Sequence, residues 1–231
     1  MIAFELIKDF VNLFFPRNCS ACGKSLLKNE EVICTQCLYH LPRTNYHLQK
    51  ENPISQLFWG KANIENATAF YFFNKGSIFQ KLIHKLKYQG QQDIGIALGS
   101  YLGSAMLDSP LYKDIDVIIP VPLHLKRQKK RGYNQSECIA KGIAKHLPSI
   151  VDTKSLYRTK ATETQTKKSR MERWENVDSI FAVRKNHNLS NKHILLVDDV
   201  ITTGATLEAC AESLLKIENV KVSIAAIAVA H

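Results

Sequence analysis

Apolar positions along the chain change rhythm twice. At the start, Ile2, Phe4, Leu6, Ile7, Phe10, Val11, Phe14 and Phe15 recur at helical spacing and stop at Pro16. This predicts a helix whose wide apolar face packs on the rest of the protein. A polar, cysteine-bearing stretch follows to about residue 50, and from about residue 65 short apolar runs alternate with helical patterns. The runs 67–73, 115–121 (IDVIIPV), 193–197 and 222–230 read as strands, the middle two β-branched or leucine-rich as in strands buried on both faces. Helical spacing covers 77–88, 94–107, 133–147 (ended by Pro148) and 205–217. A strand or hairpin is expected around 155–159 and an edge strand near Phe181, with a polar stretch up to Asn176 between them. Strand–helix alternation predicts an α/β fold with a mostly parallel central sheet and a ligand site at the strand carboxyl ends. A small N-terminal unit, 1–50, is expected to precede the α/β domain, 51–231.

Composition adds exclusions. With 45% apolar and 23% charged residues, the chain of 231 residues is an ordinary folded one. Its longest apolar stretches, 10–15 and 224–230, fall short of the roughly 20 residues a bilayer span needs. Glu5, Lys8 and Asp9 interrupt the first apolar residues, so no secretory leader is expected and the protein is placed in the cytoplasm. The net charge of +10 is localised: between His124 and Arg173 there are fourteen Lys/Arg against four acids, and the remainder is balanced. Fifty residues carrying the whole excess point to a polyanion: phosphate, pyrophosphate or nucleic acid.

Four of six cysteines form two C-x-x-C pairs, Cys19/Cys22 and Cys34/Cys37, with eleven residues between the pairs. Each pair can grip one ion from a tight knuckle, and two knuckles complete a tetrahedral thiolate set suited to structural Zn²⁺. The connector is shorter than in the commonest pattern. Disulfides suit an oxidising compartment, which this chain is not expected to enter. A redox or hydrolytic role for these cysteines would require an open coordination position. Cys138 and Cys210 fall in helical patterns and read as small core residues.

The run HILLVDDVITTGAT, 193–206, carries the chemistry. A buried strand delivers Asp198 and Asp199, and Thr202, Thr203, Gly204, Ala205 and Thr206 then open a helix. Small residues leave backbone N–H groups uncovered at a helix N-terminus, a cradle sized for a phosphate. Two carboxylates beside it suit a ligand that also offers hydroxyls, as a ribose does. Turn and helix capping explain one such residue, not two acids and three threonines in nine positions. No G-x-x-x-x-G-K-[ST] run exists. Pro120-Val121-Pro122 then leads into a basic loop, Lys126, Arg127, Lys129, Lys130 and Arg131, where a pyrophosphate would sit. Arg131 stands beside a glycine near the strand end, and guanidinium recognises phosphate bidentately. A second basic loop, 160–173, would bring Lys167, Lys168, Arg170 or Arg173 over the ligand on closing. Any single lysine in these loops can equally be solvated. The same cations around Tyr133, with Trp174, would also suit single-stranded DNA.

The run VDDVITTGAT resembles the phosphoribosyl-pyrophosphate (PRPP) loop of type I phosphoribosyltransferases. With the paired C-x-x-C ribbon, LIHKLKYQG (82–90), PVPLHLKRQKKRGYNQSE (120–137) and RTKATETQTKKSRMERWENV (158–177), nearly the whole chain resembles the ComF family. Near Lys167 that family often has a leucine, which this chain lacks. The resemblance implies a zinc ribbon ahead of a type I phosphoribosyltransferase-like fold. It implies Asp198 and Asp199 on the ribose hydroxyls, residues 202–206 on the 5′-phosphate, Mg²⁺ on the pyrophosphate, and Lys87, Arg131 and Arg170 as further PRPP contacts. It also implies a role in natural competence, with single-stranded DNA and competence-machinery proteins as partners. The alternative is an active phosphoribosyltransferase of nucleotide metabolism, whose acceptor the sequence does not name.

Overall fold

A computed structural model describes residues 15–159, 180–184 and 188–230. The expected N-terminal helix and the second basic loop, with Lys167, Lys168, Arg170, Arg173 and Trp174, lie outside the described residues.

The sheet that organises the molecule is parallel throughout and five-stranded, in the order β1-β7-β6-β2-β3. Its strands are β1 (Ala67–Phe73), β2 (Val117–Pro120), β3 (Ile150–Val151), β6 (His193–Ile201) and β7 (Lys221–Ala230). A separate antiparallel pair joins β4 (Leu156–Arg158) to β5 (Phe181–Val183); both segments are strands as expected, but they pair with each other apart from the central sheet. Alternate residues of the central strands feed two cores: Leu195 and Val197 face one, Ile194 and Leu196 the other. Both faces of β6 and β7 are therefore covered, as their unbroken apolar runs require.

The first core is closed by α3 (Ile78–Tyr88), α4 (Gln92–Leu107) and α6 (Gln135–Ile143), and the second by α2 (Pro53–Gln56) and α7 (Ala205–Leu214). Helices α4 and α6 touch backbone to backbone. A Cβ on Gly99 would stand 2.2 Å from Ile139 O, and one on Gly142 would stand 2.2 Å from Ile96 O. That approach pins α6, whose first turn enters the candidate site. The cysteine-bearing segment, with α1 (Thr35–Tyr39), packs into the first core through Cys19, Ile33, Cys37 and Leu41. Beyond it, Thr44 N–H donates to Phe70 O at 3.0 Å and Phe72 N–H to Pro42 O at 2.9 Å, covering the outer edge of β1.

Three of the departures from the sequence reading bear on the site. The first basic loop is a helix, α5 (Leu125–Arg131), started by the His124 ring nitrogen on Lys126 N–H and closed by Gly132 at φ 79°. Strand β6 runs four residues beyond Val197, because Asp198, Val200 and Ile201 keep their register with Ala226, Ala228 and Val229 of β7. Helix α6 begins at Gln135 rather than Tyr133, where the Asn134 side chain caps it, and ends at Ile143. Among the described residues no helix is long and apolar enough to cross a membrane.

Candidate functional site

The acid pair lies where β6 leaves the sheet core. Lys87, in the last turn of α3, places Nζ 2.8 Å from Asp199 Oδ2, and neither side chain is far from buried, at 22% and 14% exposed. Asp198 Oδ1 accepts the Ser136 hydroxyl at 2.9 Å and the Asp199 N–H at 2.8 Å. Burial first, and the neighbouring Asp199 charge second, push the Asp198 carboxyl up to about 7, against those hydrogen bonds and the Lys87 charge. Among the described residues one cation thus serves two acids, and a ligand supplying hydroxyl donors or a cation would be welcome here.

Immediately after β6, Thr202, Thr203, Ala205 and Thr206 are exposed while Gly204 is buried. Gly204 adopts φ 80° and stands at the N-cap of α7, where it offers no side-chain acceptor to the first N–H groups of the helix. A Cβ there would stand 3.3 Å from the Phe58 ring, so a larger residue would meet both backbone strain and the Phe58 wall. Thr203 Oγ1 accepts the Ala205 N–H only at 3.5 Å. The loop presents amides and hydroxyls at a helix N-terminus, an arrangement that favours an anion.

The six residues Arg131 to Ser136 tie the surrounding walls together. The Arg131 guanidinium lies 5.4 Å over the Tyr88 ring and donates to Gln135 Oε1 at 2.6 Å. The Tyr133 hydroxyl donates to Leu86 O, next to Lys87. Asn134 Nδ2 donates to Val121 O at 2.9 Å, at the exit of β2, while its Oδ1 caps Ser136 N–H at 3.1 Å. Of the residues expected from sequence, Asp198, Asp199, Lys87 and the loop Thr202, Thr203, Gly204, Ala205 and Thr206 come together. Arg131 joins their rim through Tyr88, and Arg170 lies outside the described residues. Tyr133 is not the expected stacking platform, because its ring packs against the first core and its hydroxyl is engaged. Ser136, Tyr88 and Phe58 went unrecognised; Ser136 lies inside RGYNQSE and Tyr88 inside LIHKLKYQG, whereas nothing in the sequence pointed to Phe58. Lys126, Arg127, Lys129 and Lys130 of α5 are all exposed.

The four expected cysteine ligands converge, with all their sulfur atoms within 4.8 Å of one another. Cys34 N–H donates to Cys19 Sγ at 3.2 Å and Cys37 N–H to Cys34 Sγ at 3.4 Å, bonds that favour thiolate sulfur. Cys22 Sγ stands 3.8 Å from Cys34 Sγ, and all six cysteines are free of disulfides. Four protein ligands fill a tetrahedral set and leave no open position, so the cluster fits a structural metal ion rather than a catalytic one.

Comparison with known proteins agrees with this geometry. A family model described as a phosphoribosyl transferase domain matches residues 130–231, which hold α6, the acid pair and the loop. The chain is 31% identical to "DNA utilization protein YhgH" of Shigella flexneri over 207 residues, covering 86% of this chain and 84% of the relative. It is 36% identical to "Competence protein F" of Haemophilus influenzae over 141 residues, covering 59% and 61%. It is 28% identical to "Competence protein ComFC" of Bacillus subtilis over 209 residues, covering 83% and 81%.

Proposed function

This chain belongs to the ComF family, and from that premise we propose that it is a PRPP-binding protein acting in the uptake or handling of transforming single-stranded DNA in the cytoplasm. The observation that carries the PRPP reading is the sequence of groups along one strand end: two carboxylates, then an exposed amide loop at a helix N-terminus, with a lysine already engaged on one of the acids. Asp198 and Asp199 accept the two ribose hydroxyls. The amides and hydroxyls of Thr202, Thr203, Gly204, Ala205 and Thr206 hold the 5′-phosphate. Lys87 and Arg131 would contact the pyrophosphate, with Arg170 a further contact implied by resemblance. Mg²⁺ would enter on the pyrophosphate itself, neutralising charge that this pair of cations does not balance alone. The cysteine cluster would hold Zn²⁺ from Cys19, Cys22, Cys34 and Cys37, and competence-machinery proteins remain proposed partners.

If the bound sugar reacts, an acceptor attacks its anomeric carbon as pyrophosphate leaves, and the nearby carboxylates favour the cationic transition state. Pyrophosphate release with PRPP and a panel of acceptors separates a transferase from a sensor that binds PRPP without consuming it. Binding itself is tested by calorimetry with PRPP and Mg²⁺. Asp198→Asn and Asp199→Asn should each weaken it by at least about tenfold, the loss expected for one charge-assisted hydrogen bond. Unchanged affinity in both variants removes the two acids from the ligand.

A DNA-binding reading is favoured by one separate observation, the four exposed cations of α5. It is compatible with PRPP binding, because none of the four is among the residues engaged around the acid pair.

A further inference from the structure

We propose that Ser136 is the positioning residue of the acid pair: its hydroxyl fixes the plane of the Asp198 carboxylate and holds that acid ionised for the sugar. The proposal rests on reading Asp198 as a ribose ligand and adds the residue that sets its charge.

Ser136 is 4% exposed and cannot wander. Its N–H is held by Asn134 Oδ1, Asn134 is itself tied to Val121 O, and α6 is locked against α4 by the backbone approach at Gly99 and Gly142. From that fixed platform the hydroxyl donates to Asp198 Oδ1 across 62 positions of sequence. The Asp199 N–H lands on the same oxygen, and neither bond uses Oδ2. Two donors on one oxygen orient the carboxylate and leave its other oxygen for a ligand.

The surrounding charges explain why a neutral hydroxyl matters. On its own strand Asp198 faces Asp199, a like charge. From α3 comes Lys87, but its ammonium sits 2.8 Å from Asp199. From α7 comes the buried Cys210 thiol, whose own ionisation the Asp198 charge opposes. Strand β7 presents Ala226 opposite Asp198, and β2 ends at Pro120 opposite Val197. No described cation is dedicated to Asp198, so the Ser136 O–H and the Asp199 N–H are the direct donors that favour its anion. Alanine, which keeps the Cβ and puts hydrogen where the hydroxyl stood, would withdraw one of them at the cost of one heavy atom of packing. The acid would then hold its proton to higher pH and accept a ribose hydroxyl less well near neutrality.

The test is PRPP·Mg²⁺ affinity by calorimetry from pH 5.5 to 9 for the unmodified protein, Ser136→Ala and Ser136→Thr; the titration of PRPP itself is common to all three and cancels. In Ser136→Ala the midpoint of the affinity profile should move up by about one unit. That makes binding about fivefold weaker at pH 7, about tenfold weaker at pH 5.5 and nearly equal at pH 9, where the acid is ionised in both proteins. Ser136→Thr, which keeps the hydroxyl, should restore the original midpoint. A ¹³C NMR titration of the Asp198 carboxyl should show the same upward move without any ligand. A penalty of equal size at every pH, or an unmoved carboxyl titration, would mean that Ser136 only fills space and would overturn the proposal. Full affinity in Asp198→Asn would instead remove the ribose reading on which it stands.

Discussion

Asp198 occupies a place that folding alone would give to valine. It lies partly buried at the end of an apolar strand, beside a second acid, and burial with that neighbour raises it from the ordinary carboxylate value to about 7. The sign of the consequence is fixed. A carboxyl raised in the folded state binds its proton more tightly folded than unfolded. The stability this brings is complete below about pH 4 and is lost as pH rises toward 7, and above 7 the ionised acid is a constant burden. Asp198→Asn removes the charge and keeps the shape. It should therefore melt at higher temperature than the unmodified protein at pH 8, by roughly 1–2 kcal/mol once partial exposure is discounted, or about 2–8 °C for a chain of this size. The advantage should shrink steadily between pH 7 and pH 4. Thermal unfolding at pH 5 and pH 8 checks this, and a variant less stable at both would show that the acid is held by favourable contacts. A stabilising substitution that weakens PRPP binding marks a residue kept for its ligand.

At the scale of elements, the cysteine segment and the sheet are not independent. Cys19, Ile33, Cys37 and Leu41 share a core with Leu98, Leu102 and Ile139 of the α/β body, so the metal that would hold the ribbon also supports that face of the domain. Stripping metal with a chelator, or replacing Cys37 by Ser, should release about one equivalent of Zn²⁺, lower the melting temperature and expose the segment 19–41 to protease. An unchanged melt with metal quantitatively removed would show that apolar packing suffices there. The ribbon was legible in sequence because metal geometry is written in local spacing, and β2, α3 and β7 were legible because burial on one or two faces imposes a period. Helix α5 was not, since KRQKKR has no apolar stripe; it forms from good helix formers between a His124 cap and a Gly132 stop, with Lys129, Lys130 and Arg131 in the last turn where the helix dipole favours them. The extension of β6 through Asp198 and Asp199 was hidden for the opposite reason: acids disfavour strands, yet the β7 ladder continues beneath them. The Ser136–Asp198 bond was invisible because only the folded sheet brings β2, β6 and the start of α6 together.

Across the whole molecule, sheet order converts a charge excess that is merely local in sequence into a directed surface. Strand β2 lies beside β6, so the basic helix α5 that follows β2 emerges at the same sheet edge as the acid pair and phosphate loop that follow β6. Arg131, at the end of α5, turns inward to Tyr88 and Gln135, whereas Lys126, Arg127, Lys129 and Lys130 remain exposed. One short helix is thereby divided between a residue packed on Tyr88 and Gln135 and four that face solvent, and the two proposed ligands would meet different residues of it. Replacing the four exposed cations together by Gln should weaken binding of single-stranded DNA and reduce the slope of log affinity against log salt by up to about 3, since each phosphate contact on a single strand contributes about 0.7. PRPP affinity in the same variant should stay within about twofold, because Lys87, Arg131 and the loop at Gly204 are untouched. An electrophoretic shift series in salt, paired with calorimetry, reads both quantities on one preparation. A DNA affinity and salt slope identical to the unmodified protein would move the nucleic-acid surface away from α5. A parallel collapse of PRPP binding would show instead that the exposed half of the helix reaches the pocket, and that the division at Arg131 is not the boundary between the two ligands.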